Sequence, residues 1–179
     1  RTNRKVGRTN TLGAQAADEG VNKAVLREAV VIQMTWPGAP TIYYGDEAGV
    51  CGFTDPDSRR TYPWGHEDQE LIQFHKEMIR IHKENQEIRT GSLKYIDGDY
   101  NILGYGRFNR KEAIVVLVNN NDHEVTREFS VWHLGIPKKS IVKRVMLTTE
   151  EGYSTEECEY PVIAGKMNIT LPKTSAIVF

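Results

Sequence analysis

The spacing of apolar residues switches from a helical to a strand-like period near residue 90, and this change limits the fold more than any other feature. Before it, in the segments that start at Val21 and at about Asp68, apolar residues recur every three or four positions, which is the period of an amphipathic helix. After it, short apolar runs alternate with turn residues, as in an antiparallel sandwich. These runs cover residues 92–96, 101–108, 113–119, 124–131, 141–148, 167–171 and 175–179. The sequence therefore predicts two domains, 1–90 and 91–179, with the boundary near Gly91.

Two helices and one strand are predicted in the first domain. One helix starts at Val21 and ends before Pro37, because proline lacks the backbone donor that a helix needs. The other starts at about Asp68, a suitable N-cap. Between them, residues 41–44 read TIYY and predict a short buried strand. Helix, strand, long loop and helix in this order are typical of an α/β fold.

Composition and charge indicate neither a nucleic-acid nor a membrane partner. The formal net charge is -1, so the average field attracts neither nucleic acid nor an anionic membrane. No apolar run approaches the roughly 18 residues that a membrane span needs. The basic residues within residues 1–20 form a short run without aromatic neighbours, which favours a solvated loop over a nucleic-acid arm. Cys51 and Cys158 match no metal-ligand spacing, and two unpaired thiols are expected.

The long loop between the predicted strand and the second helix has the composition of a sugar-binding surface. Residues 36–64 read WPGAPTIYYGDEAGVCGFTDPDSRRTYPW, and a loop of this length is usually functional. Flat aromatic side chains contact the apolar faces of a sugar ring, and planar charged groups bind pairs of hydroxyls. The same aromatic residues are equally compatible with simple packing of the loop.

The order of the motifs in this loop resembles the α-amylase family of glycoside hydrolases. GAPTIYYGDE, then DPDSRR and then PW look like the eighth strand and the following loop of that family. The neopullulanase and cyclomaltodextrinase branch is the most similar, since there the same motifs follow a helix ending in a similar QMTWPGAP. The resemblance covers residues 22–90, whereas the strand-rich remainder is similar to the family's C-terminal β-domain in position and pattern only.

This resemblance implies a fold class of α/β plus all-β: the terminal βα part of a (β/α)8 TIM barrel, followed by an antiparallel C-terminal β-sandwich. A complete barrel takes about 250 residues, so the chain can hold only its last strand and flanking helices. The family's retaining mechanism uses an Asp nucleophile and a Glu acid/base, and both lie on earlier strands. The chain starts at Arg1 with neither Met nor a signal segment. We therefore expect the catalytic residues upstream of Arg1, none in this chain, and no activity from this chain alone.

Four residues of the loop are the predicted substrate contacts. Asp55 and Arg59 match positions that in relatives contact a glucose on the non-reducing side of the scissile bond, and Tyr44 and Trp64 are the aromatic candidates. The turn chemistry of DPDS can bring positions 55 and 59 to one surface. An ion pair between Asp55 and Arg59 that merely closes the turn is the alternative.

The acidic residues of the loop also allow a calcium site. Asp46, Glu47 and Asp57 are residue types that bind calcium. The alternative is that Asp46 and Glu47 hydrogen-bond to the loop backbone, and it is favoured here. We predict no metal site in this chain and no cofactor, although calcium in the parent protein is left open.

The predicted function follows from the resemblance. The chain is expected to be part of a retaining hydrolase or transglycosylase that processes starch, maltooligosaccharides, pullulan or cyclodextrins. A non-catalytic carbohydrate-binding or assembly module is the alternative. The expected partner is an α-glucan or oligosaccharide, with no nucleic acid and no membrane. A homo-oligomer is also left open, because a terminal strand with unpaired edges tends to seek a partner chain. The compartment is undetermined between cytoplasmic and secreted.

Overall fold

The computed structural model describes residues 17–53 and 55–179. Its helices are α1 (Lys23–Thr35), α2 (Gln69–Glu84) and the short α3 (Gln86–Thr90). Its strands are β1 (Ser92–Gly98), β2 (Ile102–Phe108), β3 (Ala113–Asn119), β4 (Val125–Ser130), β5 (Ser140–Arg144), β6 (Met146–Thr148), β7 (Tyr153–Ser154), β8 (Cys158–Val162), β9 (Lys166–Leu171) and β10 (Ser175–Val178). A 3₁₀ helix, Trp132–Leu134, lies between β4 and β5.

Both long helices begin at a side-chain cap. The Asn22 side chain accepts a hydrogen bond from the Ala24 N–H at 2.9 Å, and the Asp68 carboxylate accepts one from the Leu71 N–H at 3.1 Å. Such caps satisfy backbone donors that have no partner inside the helix. Helix α1 ends at its C-cap Trp36, directly before Pro37. The two predicted helices and the N-cap at Asp68 are thus confirmed.

The strands form one large and two small antiparallel sheets. The six-stranded sheet has the order β1-β2-β3-β10-β6-β7, and the small sheets are the pairs β4-β9 and β5-β8. All the pairings are antiparallel. The antiparallel β-rich part of the fold prediction is confirmed.

The six-stranded sheet is covered on both faces, and β3 shows this most clearly. Val116 packs into a core with Val31 of α1 and Phe74 of α2. Its neighbour Leu117 points to the other side, into a core with Phe129 of β4. Because both faces are buried, β3 reads as the continuous apolar run AIVVLV rather than as an alternation. The molecule therefore has three layers: helices, the large sheet, and the two small sheets.

Two strand predictions were wrong. The described residues 41–44 form no strand, because a strand needs a hydrogen-bonded neighbour and none lies beside them. The run 141–148 is also not one strand: it divides at Val145 into β5 and β6, which belong to different sheets. The strands β7 and β8 were not predicted at all.

The predicted domain boundary lies beside a shared core. Ile88 of α3 is fully buried in the same cluster as residues of α1, α2 and the large sheet. The division at Gly91 stays a prediction. In the part of the chain that the structure describes, no helix is long and apolar enough to cross a membrane. Cys51 and Cys158 form no disulfide within these residues.

Candidate functional site

Between α1 and α2, the described residues 36–53 and 55–64 include a series of hydrogen-bonded turns. The Val50 N–H donates to the Gly45 carbonyl at 2.9 Å, and the Gly45 N–H donates to Glu47 Oε2 at 3.0 Å. Gly45 has φ 92, in the left-handed region that favours glycine. Partial burial raises the pKa of the Asp46 carboxyl, and the nearby Glu47 raises it further. The hydrogen bond from the Gly45 N–H shows that Glu47 bonds to the loop backbone. Residues 17–53 and 55–179 contain no group of three His, Cys, Asp or Glu suited to a metal ion.

Asp57 closes the second half of the loop. Its carboxylate accepts the Phe53 N–H at 2.8 Å and forms an ion pair with Arg60, also at 2.8 Å. The Phe53 hydrogen bond, followed by that of Arg60, lowers the pKa of Asp57. The turn is so tight that a Cβ on Gly52 would lie 2.8 Å from the Asp57 carbonyl. These contacts close the loop without involving Asp55.

Asp55 and Arg59 form a separate and exposed pair. Their nearest charged atoms are 2.8 Å apart, and each side chain is 61% exposed. The turn therefore brings positions 55 and 59 to one surface, as the sequence predicts. An ion pair this exposed contributes about 0 to 1 kcal/mol to stability. The carboxylate and the guanidinium both present polar atoms to solvent, where vicinal hydroxyls of a sugar could bind.

The predicted aromatic contacts, Tyr44 and Trp64, each lie against a second ring at a tilted angle. Tyr43 and Tyr44 have ring centroids 5.0 Å apart, and Tyr62 and Trp64 are 4.6 Å apart. The Tyr44 hydroxyl donates to the Arg60 carbonyl at 2.8 Å, which anchors its polar end. Trp64 is 79% exposed. The rings thus offer apolar faces to solvent on the surface of the same loop.

A cavity of about 290 Å³ lies between this loop and the helices. Tyr43, Tyr44, Asp46 and Leu71 are among the residues that line it. Of the four predicted site residues, only Tyr44 lies in this lining. The structure therefore joins Asp55 to Arg59 and Tyr44 to the backbone of Arg60, whereas Trp64 packs on Tyr62.

Two charged residues of α1 are buried. Arg27 and Glu28 of α1 are only 3% and 4% exposed, although the sequence pattern assigns them to the polar side of the helix. Arg27 donates to Glu70 at 3.1 Å and to the carbonyls of Thr149 and Glu150 at 3.1 and 3.3 Å. The β-rich part of the chain covers this face of α1, and the local sequence carries no signal of that.

Comparison with known proteins identifies relatives over most of the chain. No family model matches. An amylopullulanase of Thermoanaerobacter thermohydrosulfuricus is 39% identical over 62% of this chain and 9% of its own length. An amylopullulanase of Thermoanaerobacterium saccharolyticum is 32% identical over 86% of this chain and 12% of its own length. Neopullulanase 2 of Thermoactinomyces vulgaris is 37% identical over 60% of the chain and 19% of its length. The chain thus spans less than a fifth of each of these relatives.

Solved structures match the fold. A debranching enzyme from Nostoc punctiforme is 25% identical, with a TM-score of 0.68 over 87% of this chain and 30% of that one. An α-amylase from Geobacillus thermoleovorans is 21% identical, with a TM-score of 0.73 over 91% of this chain and 34% of that one, and this shows the fold alone. The matched proteins are thus named as amylopullulanases, a neopullulanase, a debranching enzyme and an α-amylase. The chain belongs to the α-amylase family, glycoside hydrolase family 13.

Proposed function

We propose that this chain is part of a retaining glycoside hydrolase or transglycosylase that acts on α-glucans. Its substrate class is starch, maltooligosaccharides, pullulan or cyclodextrins. Relatives named amylopullulanase, neopullulanase and cyclomaltodextrinase support this class. Within the whole enzyme, residues 1–90 form the end of the catalytic barrel and residues 91–179 the C-terminal β-sandwich.

The observation that carries the proposal is the exposed Asp55–Arg59 pair, on a loop that also carries aromatic faces. A carboxylate accepts hydrogen bonds from hydroxyls and a guanidinium donates them, so a side-by-side pair can bind adjacent hydroxyls of one glucose. Because Asp57 and Arg60 already close the turn, Asp55 and Arg59 are not needed for that purpose. Tyr44 and Trp64 supply ring faces for the apolar side of the sugar.

The barrel proposal is supported by surfaces that lack a neighbour in the described residues. The segment 41–44 forms no strand and has no strand beside it among the described residues. On α1, Val25 and the C-cap Trp36 are large apolar residues that remain exposed. A groove of about 600 Å³ runs along this side, between α1 and Leu103. Further strands and helices of a (β/α)8 barrel would cover these residues and pair with the segment.

The chemistry of the proposed reaction requires more than this loop. A retaining glycosidase holds two catalytic carboxyl groups about 5 to 5.5 Å apart. Asp55 and Asp57 are each paired with an arginine, and their proposed roles are binding and loop closure. We therefore expect the chain alone to release no reducing sugar from maltooligosaccharides above a no-protein blank. Measurable release would contradict this expectation.

Binding of maltooligosaccharides of increasing length tests the role of Asp55 and Arg59. A hydrogen bond to a charged group contributes about 1.5 to 3 kcal/mol, so D55A or R59A should weaken binding of long oligosaccharides by about ten- to a hundredfold. Sugars too short to reach the subsite should lose much less. In the whole enzyme, the same pattern is expected in kcat/KM.

The matched control is E157A, which removes a second exposed ion pair. Lys143 and Glu157 are 3.0 Å apart and exposed to a similar degree, but they lie in the β-rich part of the chain. This variant should bind every oligosaccharide as the wild type does. Equal losses for short and long sugars in D55A and R59A would remove both residues from the binding site.

A non-catalytic carbohydrate-binding or assembly module is the second candidate. Val25 and Trp36 are exposed apolar residues, and exposed apolar surface is a feature of assembly sites. The coding sequence upstream of Arg1 distinguishes the two functions. A catalytic parent requires an Asp nucleophile and a Glu acid/base at the ends of earlier barrel strands.

A further inference from the structure

Arg107 of strand β2 is a buried cation whose described partners are uncharged. Its side chain is 1% exposed, and no ion pair to it occurs within residues 17–53 and 55–179. Burial lowers the pKa of its guanidinium, which the neighbouring Tyr105 partly opposes. Burying an unpaired charge is costly unless other polar groups compensate for it. The buried charge of Arg107 therefore needs polar partners that offset this cost.

The compensation comes from two backbone carbonyls. The guanidinium donates to the Thr35 carbonyl at 2.9 Å and to the Gly91 carbonyl at 2.8 Å. Thr35 is the last residue of α1. The last carbonyls of a helix have no partner inside the helix and carry partial negative charge, so a cation at this position is favourable. One planar side chain thus joins the end of α1 to the start of the β-rich part.

Two further side chains hold the same end of α1. The Tyr105 hydroxyl and Thr35 Oγ1 are hydrogen-bonded at 2.5 Å, and the Tyr105 ring meets Trp36 edge-on with centroids 5.2 Å apart. His82 of α2 donates from Nδ1 to the Met34 carbonyl at 2.7 Å. Three consecutive residues at the end of α1 are therefore fixed from outside the helix, two of them by side chains of strand β2.

The loop that carries the proposed sugar contacts starts at this point, at Trp36. We propose that Arg107 is a positioning residue for the sugar-binding loop: through it, the β-rich part sets where residues 36–64 leave α1. This inference rests on the proposed function for its sugar-binding consequence, but its structural consequence can be measured without any sugar. Arg107 itself does not touch the substrate in this proposal.

The test compares R107K with the matched control R144K. Lysine keeps the charge but lacks the planar fork that reaches two carbonyls at once. Arg144 is also a buried arginine that donates to a backbone carbonyl, that of Glu156 at 3.1 Å, but it lies in β5. Y105F is a milder second variant, which removes only the hydroxyl bonded to Thr35. It keeps the proposal testable if R107K does not fold.

Hydrogen exchange of the loop is the first readout. The amides of Val50 and Phe53 are useful probes because they donate hydrogen bonds inside the loop, at 2.9 and 2.8 Å. The loss of one or two hydrogen bonds at the loop's origin should speed their exchange in R107K by roughly tenfold, with a smaller change in Y105F. The control R144K should leave these two amides unchanged, even where it lowers the Tm.

Affinity for maltoheptaose is the second readout, measured where each variant is fully folded. R107K should bind several-fold more weakly than R144K. If R107K lowers the Tm but changes neither loop exchange nor affinity, Arg107 only stabilises the fold and the proposal is overturned. Equal loop effects in R107K and R144K would overturn it too. If the wild type binds no sugar, the proposed function fails, while the exchange rates still decide whether Arg107 positions the loop.

Discussion

The Glu28 carboxyl is expected to lower the free energy of unfolding of this protein at neutral pH. The variant E28Q should therefore be more stable than the wild type at that pH. The side chain is 4% exposed, and its Oε1 has no hydrogen-bond partner among the described residues. It lies beside a cavity of about 350 Å³ with the apolar side chains of Val25, Ile32 and Leu103 in its wall. Burial raises the pKa of this carboxyl from 4.5 to about 8. The folded protein therefore favours the protonated, uncharged acid.

The size and sign of the effect follow from the difference in pKa between folded and unfolded chains. Below pH 4.5 both states hold the proton, and Glu28 carries no penalty. As the pH rises towards 8, the unfolded chain ionises first and stability is lost. A rise in pKa from 4.5 to about 8 costs the folded state at most about 3 kcal/mol at pH 7 and about 5 kcal/mol above pH 9. Glutamine matches the protonated acid in shape and never ionises, so E28Q avoids this cost.

Urea denaturation between pH 4 and pH 9 measures this difference. E28Q and the wild type should have the same free energy of unfolding near pH 4, and E28Q should become progressively more stable as the pH rises. Glu124 is exposed, so the control E124Q should change stability by less than about 0.5 kcal/mol. Parallel stability profiles for E28Q and the wild type across the whole range would show that the Glu28 carboxylate is paired or hydrated in solution, which would refute the reasoning.

Two further predictions concern local contacts in the fold. D68A removes the N-cap that accepts the Leu71 N–H and also the exposed ion pair with Lys23, and it should lower the free energy of unfolding in urea by about 1 kcal/mol, chiefly through the cap; an unchanged midpoint would mean that the cap is not used. G106A places a Cβ 2.3 Å from Leu134 Cδ1 in a buried site, so we expect a loss of about 1 to 3 kcal/mol in the same assay. A loss below about 0.5 kcal/mol would show that Leu134 moves aside freely.

Local signals predicted the two long helices and most strands, but not the short helix α3. The helix α1 stops where Pro37 makes continuation impossible, and α2 starts where Asp68 can cap it; both are properties of neighbouring residues. Strand β3 was recognisable because six consecutive apolar residues suit a strand buried on both faces. Strand β8 was not predicted; its sequence CEYPV contains Pro161, and proline is unfavourable in a strand away from a sheet edge. It pairs with β5 in a sheet of only two strands.

Local sequence also predicted one part of the candidate site. Turn residues between positions 55 and 59 indicate that Asp55 and Arg59 share a surface, and the structure brings them together. The sequence did not predict that Asp57 and Arg60 close the loop while Asp55 and Arg59 stay exposed. Both pairs consist of an Asp and an Arg a few residues apart, and it is tertiary contacts, such as that of Asp57 with the Phe53 N–H, that distinguish the closing pair from the exposed one.

The sequence by itself determined the elements whose causes lie within a few residues: helix period, caps, proline stops and turns. The tertiary structure alone decided which polar side chains are buried and which apolar ones are exposed. Arg27 and Glu28 have the same local pattern as a solvated helix face, and they are buried because β-strands far along the chain cover that face. Arg107 depends on Thr35, which lies 72 residues away. Burial depends on what lies opposite a residue in space, and periodicity along the chain does not show which distant element lies there.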